Sequence, residues 1–143
     1  MQKTDPKLLS PGTLAFLGDA VYELFVRSRL VNQANMPVNK LHLLAVEQVR
    51  ASFQSKAVSA LEPVLTEEEL AVWKRGRNAN GVKPPKHANP AEYRRATGLE
   101  ALFGYLFLQG KTDRLKELFC YIEQQAALGF PETGEAEGAL EEQ

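Results

Sequence analysis

At 143 residues, with 44% hydrophobic and 24% charged side chains, the chain has the composition of one globular domain large enough to bury a core. A single cysteine, Cys120, excludes an internal disulfide and a cysteine-rich zinc site, and fits a reducing, cytoplasmic setting; no apolar stretch reaches the ~18 residues of a membrane span, and the first residues lack the apolar core of a secretory leader. The net charge of −1 conceals an asymmetry, because residues 131–143 hold five Glu and no base and leave a body of 17 basic and 13 acidic residues.

The pattern reads as helical throughout. Ser10 as N-cap and Pro11 at the first helical position start a helix that runs to about residue 30, with Leu14, Leu17, Val21, Leu24 and Phe25 as its core stripe. After a loop at residues 35–37, a second helix from about Asn39 turns Leu41, Leu44 and Ala45 inward. A third spans about 49–61 and stops before Pro63. Thr66 and Glu69 form a capping box for a fourth, which reaches about Arg77. Residues 78–88, with Gly81 and the Pro84–Pro85 pair, form a loop. Asn89, Pro90 and Glu92 then supply cap, first-turn proline and capping box for a fifth helix reaching Leu108. Gly110 breaks it, and Thr112 caps a sixth with Leu115, Leu118, Phe119 and Ile122 inward, ending near Gly129. The expectation is an all-α bundle of about six helices over residues 1–130, followed by a disordered acidic tail at 131–143.

Two acids interrupt apolar runs. Asp19 lies in LAFLGDAVYEL, residues 14–24, and Glu100 in GLEALFGYLFL, residues 98–108. A carboxylate in a packing helix loses hydration at a cost of several kcal/mol unless something pairs with it. Neither run offers a Lys or Arg within one turn on the apolar side. Gly18, Ala20, Gly98, Ala101 and Gly104 are small and let two helix backbones approach, which brings the acids within reach of one ion. Mg²⁺ suits such a site, since it takes oxygen ligands and keeps several waters. The plainer alternative places each acid at a solvent boundary.

The segment Phe16–Val21, FLGDAV, resembles the ribonuclease III signature F-L-G-D-[SA]-V, and Glu100–Ala101–Leu102 with Gly104 resembles that family's second acidic motif, D-x-x-E-A-L. The likeness covers about residues 10–128. The double-stranded-RNA-binding domain that usually follows is expected to be absent, as in the stand-alone Mini branch, which residues 74–79, 85–86 and 93–94 also resemble. Gly12 and Ala15 replace two signature glutamates and Thr97 replaces an aspartate, a reduced acidic set in keeping with that branch.

The resemblance implies a homodimeric endonuclease, dependent on Mg²⁺ with Mn²⁺ as a substitute, that cuts double-stranded RNA to leave 5′-phosphate and 3′-hydroxyl ends. The Mini branch is associated with trimming 23S ribosomal RNA precursor. Asp19 and Glu100 would be the catalytic metal ligands, and Thr97 would orient an outer-shell water. Glu23 would join a second metal or be a surface acid, the latter being favoured. Phe16 would pack into the partner subunit or into its own core. The alternative is a non-catalytic duplex-binding module that kept the fold, supported by Gly12, Ala15 and Thr97. A scaffold whose acids are merely structural is a third reading.

Residues 74–95 carry seven Lys or Arg and one acid, Glu92. With duplex RNA as the partner, Lys74, Arg75, Arg77, Lys83 and Lys86 would grip phosphates without regard to sequence. Asn78 would donate to phosphate or sugar, and Arg94 or Arg95 would face the scissile phosphate. His42 and His87 are isolated and make poor ligands; His42 suits packing or a dimer contact. Cys120, between Phe119 and Ile122, reads as a small buried hydrophobe. No glycine-rich G-x-x-x-x-G-K loop suggests a nucleotide cofactor.

Overall fold

The computed structural model describes residues 4–81 and 83–131. Six helices follow one another: α1 Pro11–Gln33, α2 Val38–Val49, α3 Ala51–Leu61, α4 Glu67–Arg77, α5 Pro90–Leu108 and α6 Thr112–Ala127. Short 3-10 turns occupy Pro6–Leu8 and Glu62–Val64, and no strand occurs among the described residues. No described helix is long and apolar enough to cross a membrane. The expected acidic tail, apart from Pro131, lies outside the described residues.

Local chemistry sets most of the boundaries. The Ser10 side chain accepts from the Thr13 N–H, and Pro11 opens α1. Thr66 and Glu69 make both halves of their capping box, with Glu69 accepting the Thr66 N–H at 2.8 Å. Asn89 accepts from the N–H groups of Ala91 and Glu92, but the return bond from Glu92 is not made. Thr112 does not cap α6: it is the first helical residue, Lys111 holds the cap position, and no side-chain bond closes that end. One extended residue, Arg50, separates α2 from α3. Gly110 takes φ +72°, where a Cβ would be strained, and closes α5 with its N–H on the Phe107 carbonyl.

The axis of the bundle is α5. Apart from Thr97 and Glu100 it is apolar and buried around its circumference from Ala96 to Leu106, so it can be satisfied only in the middle. Helices α1, α3, α4 and α6 all pack against it. Tyr22 of α1 sets its ring edge-on to Phe103 of α5 at 5.4 Å and to Phe119 of α6 at 5.9 Å. Leu115, Leu118, Phe119 and Ile122 face inward as their spacing predicts.

Two expectations fail here. Leu24 is 62% exposed, because at 100° per residue it lies roughly 200° around the helix from buried Tyr22. Cys120 is exposed, one residue round from buried Phe119, and its sulfur accepts from the Gln124 amide. His42 is exposed at the rim of a cleft between α1 and α2, so of its two expected roles the dimer contact stays open and core packing does not.

A clasp joins α6 to the start of α4. Arg114 donates to both oxygens of buried Glu69, at 2.8 and 2.7 Å, and to the Val64 carbonyl at 2.8 Å. Burial alone would raise the Glu69 pKa, but the Arg114 and Thr66 donors outweigh it and hold the carboxyl below its ordinary range.

Candidate active site

Backbone contact between α1 and α5 builds the site. A Cβ at Gly18 would lie 1.5 Å from the Glu100 carbonyl oxygen, and one at Gly104 would lie 2.1 Å from the Leu14 carbonyl oxygen. No side chain fits at either position. Gly98 and Ala101 do not serve this contact. They face α4, where Gly76 approaches Gly98 and Ala101, and Gly98 also faces Trp73. Ala20 is exposed and outside both contacts.

The close approach sets Asp19 beside Glu100. The two carboxyl groups lie within hydrogen-bonding reach of one another. The two acids are not equally buried, so the solvent-boundary alternative describes Asp19 and the desolvated one describes Glu100. Asp19 is exposed, whereas Glu100 is half-buried. Burial first, and the neighbouring Asp19 second, push the Glu100 carboxyl up to about 8. Tyr22, one turn from Asp19, is buried next to them and donates to the Gln48 carbonyl at 3.0 Å. Burial and then the Glu100 charge drive its phenol well above the ordinary range.

Among the described residues no base pairs with Asp19 or Glu100, and no third His, Cys, Asp or Glu completes a cluster. Two carboxyl groups side by side with no base between them among the described residues, one of them half-buried, fit a hard divalent cation that draws its other ligands from water and phosphate. Glu23 is engaged elsewhere, in an ion pair with Arg27 at 2.9 Å. Thr97 is buried, with its hydroxyl donating to the Tyr93 carbonyl at 2.9 Å. Phe16, on the same helix as Asp19, is 84% exposed and contributes nothing to its own core.

Lys74, Arg75, Lys83, Lys86 and Arg94 are exposed. Arg77 is half-buried over the Trp73 ring, and its Nε donates to the Asn78 Oδ1 at 3.0 Å. Arg95 is turned onto α3, where it bonds Ser55 and Ser59, so of the two neighbours only Arg94 is free to face a phosphate. Composition alone did not mark Tyr22 and Trp73. The signal for Trp73 was the chain's lone tryptophan opposite a glycine-bearing helix.

The chain matches the Ribonuclease III domain over residues 12–111. It is 48% identical to the Mini-ribonuclease 3 of Symbiobacterium thermophilum, over 94% of this chain and all of that protein. It is 46% identical to the Mini-ribonuclease 3 of Desulfitobacterium hafniense, over 92% of this chain and 83% of that one. The crystal structure of a protein from Fusobacterium nucleatum superposes with a TM-score of 0.76 at 30% identity, covering 86% of this chain and 98% of that one. The chain belongs to the ribonuclease III family, within its Mini-ribonuclease 3 group. It is therefore an endoribonuclease of double-stranded RNA, in a family that generally depends on a divalent metal.

Proposed function

We propose that the chain is a cytoplasmic, homodimeric endoribonuclease that matures the ends of 23S ribosomal RNA precursor, with Asp19 and Glu100 as ligands of a catalytic Mg²⁺ that Mn²⁺ can replace. The observation that carries this reading is the meeting of the two acids at the glycine-sealed α1–α5 contact. A bound divalent ion lowers the pKa of water and offsets charge on a phosphoryl oxygen. Burial and the neighbouring Asp19 favour the protonated Glu100 carboxyl, and a bound divalent ion would favour its ionised, ligating form. Asp19, at the surface, stays open to water and to the duplex. Water adds to phosphorus, the bond to the 3′ oxygen breaks, and the products carry 5′-phosphate and 3′-hydroxyl ends.

Thr97, its proton committed to Tyr93, offers lone pairs to an outer-shell water. Lys74, Arg75, Arg77, Lys83, Lys86 and Arg94 grip backbone phosphates, and Asn78 donates through its amide nitrogen. Phe16 seats in the partner subunit. Glu23 remains a surface acid tied to Arg27.

The test is cleavage of a long RNA duplex with Mg²⁺ by wild type, Asp19→Asn and Glu100→Gln. Each variant should keep duplex binding and lose about 100-fold or more in rate, the scale of removing one transition-state charge partner. Binding with no Asp19-dependent cutting would instead favour a non-catalytic module.

A further inference from the structure

Trp73 is buried where α4 crosses α5. Its indole N–H donates to the Arg95 carbonyl at 3.2 Å. A Cβ at Gly98 would come within 2.7 Å of two indole atoms, so the glycine is what admits the ring. Two guanidinium groups lie over that ring, Arg77 at 4.8 Å and Arg95 at 5.4 Å from its centre.

Their surroundings differ. Arg95 is spent within the fold: its Nε donates to the Ser55 hydroxyl, its Nη2 to the Ser55 carbonyl and the Ser59 hydroxyl, and its Nη1 lies 3.8 Å from Glu62. Arg77 gives up only Nε, to Asn78, and no carboxylate pairs with it among the described residues. Among the described residues its Nη atoms make no hydrogen bond or ion pair. A guanidinium held by one face and by Nε has already lost most of its rotamer freedom, so a bidentate bond to phosphate costs it little more.

We infer that Trp73 is a positioning residue for the RNA grip: it mounts Arg77, Nη edge free for a backbone phosphate, at a fixed offset from the helix that carries Glu100. The offset is fixed because the Gly98 contact, two residues before Glu100, and the Trp73 N–H on the Arg95 carbonyl, about one and a half turns before it, lock α4 to α5. This rests on the duplex-RNA reading above. Trp73 is buried and touches no RNA itself.

The test is a double-mutant cycle on duplex affinity, measured without divalent metal so that no strand is cut, over a range of salt. Arg77→Ala should weaken binding about tenfold and lower the log–log salt slope by about one. Trp73→Leu keeps the charge but removes its mount. It should cost about three- to tenfold at an unchanged slope. The double variant should bind no worse than Arg77→Ala alone, within about twofold. Losses that multiply would mean that Trp73 only packs, and would overturn the inference. Should Trp73→Leu fail to fold, Trp73→Phe with Arg77→Lys closes the same cycle, since Phe keeps part of the π face and Lys keeps charge without the flat fork. A wild type that does not bind duplex overturns the duplex reading and this inference together; a wild type that binds, with multiplying losses, overturns this inference alone.

Discussion

Gly18 and Glu100 meet through bare backbone: a methyl group on Gly18 would sit 1.5 Å from the Glu100 carbonyl oxygen. The neighbour is helix backbone and cannot swing aside, so any side chain there must push α1 and α5 apart. That same contact sets the spacing of the two acids. Gly18→Ala should therefore cost about 3 kcal/mol or more, or prevent folding, the scale of a core forced apart. Gly12, with nothing within 4 Å of its would-be Cβ, is the control. Gly12→Ala should leave the melting temperature unchanged or raise it, by about 0.5 to 1 kcal/mol in stability. Thermal melts of the two variants check both.

Glu100 makes the metal-free fold sensitive to pH. Its carboxyl moves from 4.5 to about 8 on folding. Between those limits the folded chain keeps a proton that the unfolded chain has released, so stability falls as pH rises, by up to about 1.4 kcal/mol per unit, and levels off above about 8. Glu100→Gln should flatten this stretch of the curve, and the difference between wild type and variant in urea unfolding isolates it. Added Mg²⁺ competes with the same proton, so its stabilisation of wild type should grow with pH up to about 8.

The Arg114 clasp is a second stabilising element, independent of the site. Arg114→Ala leaves the buried Glu69 carboxylate with only its Thr66 donor and strips a bond from the Val64 carbonyl. The expected loss is about 2 to 3 kcal/mol, below that for a fully buried pair because Arg114 keeps some water contact. A lower urea midpoint with unchanged slope is the readout.

Phe16 is the most exposed large apolar side chain among the described residues. If it seats in a partner subunit, Phe16→Asp should turn a dimer into a monomer in analytical ultracentrifugation, with the melting temperature of the monomer little changed.

Much of this was legible in the sequence, where the physics is local. Ser10, Asn89 and the Thr66–Glu69 pair announced three helix starts, since a cap is made within one turn of chain. Thr112 misled because a threonine at the first helical position looks the same as one at the cap until the backbone is known. Gly18 and Gly104 mark the close approach of α1 to α5 that small residues in both runs imply, whereas Gly98 and Ala101, also on α5, open toward α4. Which way a small residue faces is a tertiary fact. Cys120 and Leu24 failed for a related reason: apolar neighbours in sequence are 100° apart on a helix and need not share its buried side. The acids were legible as a pair. The inequality between them, with Asp19 wet and Glu100 half-buried, was not, because desolvation depends on helices far away in the chain.

The most direct test of the central claim is a crystal grown with Mn²⁺ and measured at its absorption edge. Anomalous density within about 2.3 Å of carboxylate oxygens from both Asp19 and Glu100 is the predicted result. Mn²⁺ bound elsewhere, or held by neither acid, would contradict the account.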